Sequence, residues 1–183
     1  PKLFCDELSK KFKDLTKILN LTNDDFIRTT EKRHYKSVIE IWNKLVESGD
    51  IYLDKYSGWD SVSDEAFYDE DEIEESNGKH VSKSSGSLVE WVEEESYFFK
   101  LSVWQNKLIK YYEDNKNFIL PSSRRNEVIK FVKKGLKDLS ISRTSFSWGI
   151  PVPKNNKHVI YVWLDALTNY ISALDYPDIE NIK

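Results

Sequence analysis

The feature that most constrains this chain is a change of texture near residue 51 that reverses near residue 138. Before it, Leu8, Phe12, Leu15 and Leu19 recur every three or four positions, which predicts an amphipathic helix over residues 4–20. DDFIRTT, residues 24–30, predicts a short strand centred on Phe26 and Ile27, with Thr30 as the N-cap of the next helix. That helix carries Tyr35, Val38, Ile39, Trp42, Leu45 and Val46 on one stripe and stops at Gly49. After the reversal, HVIYVWL reads as a buried parallel strand, and Asp165 as the cap of a helix with Ala166, Tyr170, Ile171 and Leu174 on one face. Both ends therefore follow the grammar of an α/β layer.

The middle follows another grammar. IYLDKYSGW and EWVEEESYFFKL alternate as strands do, and the polar stretch between them, rich in Ser, Gly and Asn, reads as turns and loops. Leu101, Trp104, Leu108, Ile109 and Tyr112 predict a helix, and SSRRNEVIKFVKKG predicts another with a Ser cap and a Gly stop. A small α+β unit inserted into an α/β domain accounts for the whole pattern.

With 183 residues the chain is long enough for a real core, as one compact domain or two small ones. The net charge of −4 argues against a chain-wide positive field for nucleic acid. Cys5 is the only cysteine, so there is no disulfide partner within the chain, and a cytoplasmic, reducing setting is expected. No apolar run approaches the ~20 residues of a membrane span. The chain contains no methionine, and we expect it to be a piece of a longer protein.

Most clusters of chemically able residues carry little. The carboxylates Asp64, Glu65, Asp69, Glu70, Asp71, Glu72, Glu74 and Glu75 lack the register of a calcium loop and read as a solvated loop or helix start. His34, His80 and His158 are far apart and have no neighbouring cysteine pair for zinc. No glycine-rich phosphate loop occurs. Arg124, Arg125, Lys133 and Lys134 share one predicted helix, which leaves a nucleic-acid contact open beside an ordinary solvated face. Trp163 and Tyr170 fit packing in a core, and they also fit one wall of a cleft; Ala166 between them leaves room for a ligand.

Long stretches of the chain resemble the methionyl-tRNA synthetases, a family of class I aminoacyl-tRNA synthetases: DDFIRTTEKRH, GDIYLDKYSGWDSVSDEAFY, EWVEEESYFF, RRNEVIKFVKKGLKDLSISR, WGIPVP and HVIYVWLDALTNYISALDYP. The resemblance implies an α/β fold, part of a Rossmann-type catalytic domain interrupted by a small α+β connective-peptide domain. Residues 1–50 would be the first part of the catalytic domain, 51–137 the insertion, and 138–183 the return segment. It implies that the full-length protein activates methionine with ATP, Mg assisting, and transfers it to methionine tRNA. By the same resemblance Trp163 and Tyr170 enclose the methionine side chain, Ala166 and Leu167 line its base, and Arg143 organises the pocket. A pair between Arg143 and a nearby carboxylate such as Asp138 is the plainer alternative for that arginine.

The departures from the family pattern matter too. Many members open the insertion with a Cys-x-x-Cys zinc knuckle, where this chain has Ser61 and Asp64, so a zinc-free insertion is expected. The HIGH and KMSKS signatures are absent, so this chain alone is expected to be inactive. The alternative of another class is a non-catalytic insertion module that docks tRNA or a protein through its basic helix.

Overall fold

The computed structural model describes residues 1–64 and 66–178. It forms two compact units, one from Pro1–Ser48 together with the residues from Ser145 on, the other from Gly49–Thr144. The first opens with helix α1 (Lys2–Ile18), which buries none of its residues. Residues 21–28 then form no strand, contrary to the sequence expectation. Side chains take the backbone's hydrogen-bonding capacity here. Asp25 Oδ1 accepts from the Phe26 N–H at 2.7 Å, and Asn23 Nδ2 donates to the Asp25 carbonyl at 2.9 Å. The expected Thr30 cap is also displaced, because helix α2 (Lys32–Glu47) has Glu31 at its N-cap, in extended backbone. Gly49, at φ +74°, stops the helix in the left-handed conformation that costs glycine least. Helix α2 buries His34, Ser37, Val38 and Trp42, a single stripe of helical spacing.

The second unit is built on a long antiparallel pair, β1 (Ile51–Ser61) with a later strand, edged by β2 (Ala66–Tyr68). A 3-10 turn at Glu70–Glu72 follows, closed by a reciprocal Asp69/Glu72 capping box. Next comes a ribbon of β3 (Ile73–Ser76) and β4 (Lys79–Ser82), turned by Asn77 and Gly78 at φ +52° and +72°. That Asn-Gly turn suits the right-handed strand twist. The acidic stretch is thus exposed but not one loop: it supplies β2, the capped turn and β3, with Glu65 outside the described residues.

The partner of β1 is β5 (Glu90–Phe99), paired from Ile51↔Phe99 to Asp60↔Glu90. A 3-10 turn then leads into α3 (Gln105–Asp114), and α4 (Ser122–Lys133) packs with it as a helical hairpin. The expected Ser cap of α4 is not made, because Ser122 is already helical and Pro121 holds the N-cap position. β6 (Leu139–Ser140) closes the sheet in the order β2-β1-β5-β6, and β7 (Ser142–Arg143) follows.

The chain returns to the first unit through the hairpin of β8 (Pro151–Val152) and β9 (Asn155–Ile160), which runs antiparallel. Ile150, Val152, Val159, Ile160 and Tyr161 form its buried core. The strand expected through residue 164 ends at Ile160, and helix α5 (Val162–Ser172) begins with Tyr161 as N-cap. Asp165 therefore sits inside the first turn instead of capping it. A short apolar run fits a strand or a buried helix start equally, and here β-branched residues hold the strand only to Ile160.

Candidate functional site

Helix α5 has two faces of opposite character. Trp163, Ala166, Leu167 and Tyr170 fall at spacings of three, one and three, which places them on one stripe. Trp163 is 46% exposed, Leu167 59% and Tyr170 77%. All four expected pocket residues lie on one stripe of α5, and Trp163, Leu167 and Tyr170 are exposed within this chain.

The other face of α5 is buried and polar. Thr168 Oγ1 donates to the Leu164 carbonyl at 2.6 Å, and Ser172 Oγ donates to the Thr168 carbonyl at 2.8 Å. The fully buried His34 ring of α2 sits against this face, with Nε2 at 2.6 Å from Asp165 Oδ1 and Nδ1 at 3.0 Å from Ser172 Oγ. Residues just beyond α5 also meet α2. Ser37 Oγ donates to the Tyr176 carbonyl at 2.5 Å, and Lys44 Nζ donates to Tyr176 Oη at 2.8 Å. Sequence reasoning missed His34, treating it as one of three scattered histidines. Its position on the otherwise apolar stripe of α2 was the available signal.

Arg143 lies in the second unit, 4% exposed. Its Nη1 donates to Ser140 Oγ at 2.7 Å, its Nε is 3.8 Å from Glu94 Oε1, and its guanidinium stands 4.0 Å above the Phe67 ring. Asp138, the alternative partner read from sequence, instead accepts from Ser102 Oγ at 2.5 Å and Tyr52 Oη at 2.9 Å. Burial pushes the carboxyl of Asp60 upward, opposed by the positive charge of Arg143. Burial likewise pushes the Tyr56 phenol up to about 12.

Ser61 and Asp64 stand where the resemblance would put zinc-binding cysteines. The Asp64 carboxylate is occupied by hydroxyls, accepting from Ser85 at 2.5 Å, Ser87 at 2.7 Å and Tyr68 at 2.7 Å. Ser61 Oγ accepts the Asp64 N–H at 3.4 Å, and Ser82 Oγ accepts the Ser84 N–H at 3.3 Å. Neutral hydroxyls are poor ligands for zinc, which takes thiolate and imidazole, so this donor set does not fit the metal. Among the described residues no group of three or more His, Cys, Asp or Glu side chains is placed to hold an ion.

The hydroxyls of Ser85, Ser87 and Tyr68 hold the Asp64 carboxyl below its usual value of 3.8. A depressed carboxyl gives stability that is present above the unfolded value and lost as pH falls through the folded one. Acid melts of the wild type and Asp64→Asn measure this directly. The melting temperature of the wild type should fall more steeply below about pH 4 than that of the variant, and EDTA should shift neither. Parallel acid profiles, or a chelator-sensitive melt, would discard this account of the hub.

The basic helix offers less than the sequence suggested. Arg124 pairs with Glu127 at 2.7 Å within α4, and Arg125 Nη2 donates to the Tyr112 carbonyl at 2.8 Å, tying α4 to α3. Two shallow grooves flank α1, one beside Lys13 and Phe26 and one beside Asp6 and Arg28, and none of the expected site residues lines them.

Residues 1–182 match the family model of tRNA synthetases class I (M). A methionine–tRNA ligase of Rickettsia typhi is 61% identical over 178 residues, which is 97% of this chain and 34% of that protein. The corresponding ligase of Brucella suis is 56% identical over 97% of this chain and 35% of its own length. Among solved structures, Mycobacterium tuberculosis methionyl-tRNA synthetase in complex with methionyl-adenylate superposes with a TM-score of 0.87 at 49% identity, over 93% of this chain and 33% of that one. The chain spans about a third of the length of the relatives it matches.

Proposed function

The chain belongs to the class I tRNA synthetases (M), and from that premise we propose that it forms part of the methionine site of a methionine–tRNA ligase. Its mixed α/β fold is that of the Rossmann-type class I catalytic region. In the full-length protein the methionine carboxylate attacks the α-phosphate of ATP, forming methionyl-adenylate and releasing pyrophosphate. The methionyl group then passes to methionine tRNA. Mg accompanies the ATP, and the reaction takes place in the cytoplasm. No helix among the described residues is long and apolar enough to cross a membrane.

One observation carries this reading: the open aromatic stripe of α5. A thioether is polarizable and only weakly polar, so ring faces suit it better than strong hydrogen bonds. Trp163 and Tyr170 flank the side chain, while Ala166 and Leu167 set the depth of the slot. Size matching of that kind discriminates by about 1–3 kcal/mol per methylene. The first unit is then the catalytic portion and the second the connective-peptide insertion, closed by the Asp64 hydroxyl hub in place of zinc. Arg143, in the second unit, fixes the β6–β7 junction with its fork of donors to Ser140 Oγ and the Ser142 carbonyl.

The full-length protein should support ATP–pyrophosphate exchange that depends on methionine and that leucine does not replace. The chain of residues 1–183 alone should show none. Exchange that is indifferent to methionine would end the proposal.

A further inference from the structure

Building on that reading of α5, we propose that His34 is a positioning residue that fixes the rotation of the helix and so aims its methionine-facing stripe. Asp165 and Ser172 are seven residues apart, two helical turns, and both reach the same imidazole. At about 100° per residue, both lie on the side of α5 opposite Trp163 and Tyr170. A single contact would act as a hinge. Two contacts two turns apart resist both rotation about the helix axis and tilt of that axis.

The geometry sets the leverage. A ring about 6 Å from the axis moves by about 1 Å when the helix rotates by roughly 10°. Displacements near 1 Å at a substrate-positioning group cost up to ~100-fold in rate. His34 is suited to the task because it is rigid, fully buried and polar at both ring nitrogens. Asp165 also lies in the first turn of α5, where a negative charge favours the helix. That second contribution affects stability without changing the aim of the stripe.

The experiment uses the full-length enzyme and reads the KM values for methionine and for ATP separately in pyrophosphate exchange. Measurements are made well below the lowest melting temperature of the set. His34→Leu removes both contacts and should raise the methionine KM by about 10-fold or more, leaving the ATP KM within about twofold. His34→Gln keeps one of the two contacts, a donor near the Nε2 position for Asp165, and should give a partial rescue, between wild type and His34→Leu. Should His34→Leu fail to fold, Asp165→Asn takes its place, with an expected rise of roughly 3- to 10-fold.

An unchanged methionine KM in the leading variant overturns the proposal. So does a parallel rise in both KM values, or no rescue by His34→Gln, since a general loss of structure would act in that way. Trp163→Ala is run beside them. If it too leaves the methionine KM unchanged, the pocket reading itself fails; if it raises KM while His34→Leu does not, only the positioning role fails.

Discussion

Trp163→Ala in the full-length enzyme is expected to raise the methionine KM about 30- to 100-fold, the equivalent of about 2–3 kcal/mol. The magnitude follows from truncating a large ring that contacts a buried ligand side chain, whose removal leaves an unfilled slot. The ATP KM should move by less than about threefold, because the ring contacts only the amino-acid side chain in this reading. Trp163→Phe should recover most of the loss, since a smaller ring still offers an aromatic face to the thioether. Because the ring faces the ligand in this reading and is 46% exposed within this chain, the melting temperature should hardly change. Weaker methionine binding together with an unchanged melt separates a ligand contact from a packing residue. An unchanged KM would leave the stripe of α5 to some other partner.

Arg143→Met should destabilise the Gly49–Thr144 unit by about 3–4 kcal/mol. Arg143 is a nearly buried cation facing Glu94, whose side chain is only 14% exposed. Removing the guanidinium leaves that carboxylate without its cation and strips the donor from Ser140 Oγ, 2.7 Å away. It also removes the positive charge that opposes the upward push on Asp60. Thr144 Oγ1 would still donate to Glu94 Oε2 at 2.8 Å, so the loss stops short of a fully stranded charge. Urea titration of the single variant and of the pair Arg143→Met with Glu94→Gln checks the mechanism. The double variant should recover at least about half of the loss, because neutralising both partners removes the buried-charge cost. If the double variant is as unstable as the single one, packing on Phe67 is the dominant contribution instead.

Much of the site was legible because helical spacing is a local property. Trp163, Ala166, Leu167 and Tyr170 fall on one stripe of any helix that contains them, whatever surrounds it. The choice between core and cleft was not legible, because a Trp–Ala–Tyr stripe is equally compatible with both. Burial depends on what packs against the helix, and no local spacing carries that. The Asn-Gly turn of the β3–β4 ribbon was present in the sequence, but the acidic run around it reads as loop. The strand expected at residues 24–30 failed for a related reason, since propensity could not weigh Asn23 and Asp25 against a ladder partner.

By itself the sequence determined the family, the alternation of α/β and inserted textures, and the absence of a zinc-type ligand set at Ser61 and Asp64. Each rests on residue identity and spacing, which the chain carries before it folds. The tertiary structure decided the hydroxyl hub around Asp64 and the clasp of His34 on Asp165 and Ser172. Those contacts join residues up to 138 positions apart. No periodicity spans such a separation, because a contact of that kind exists only once the helices have packed.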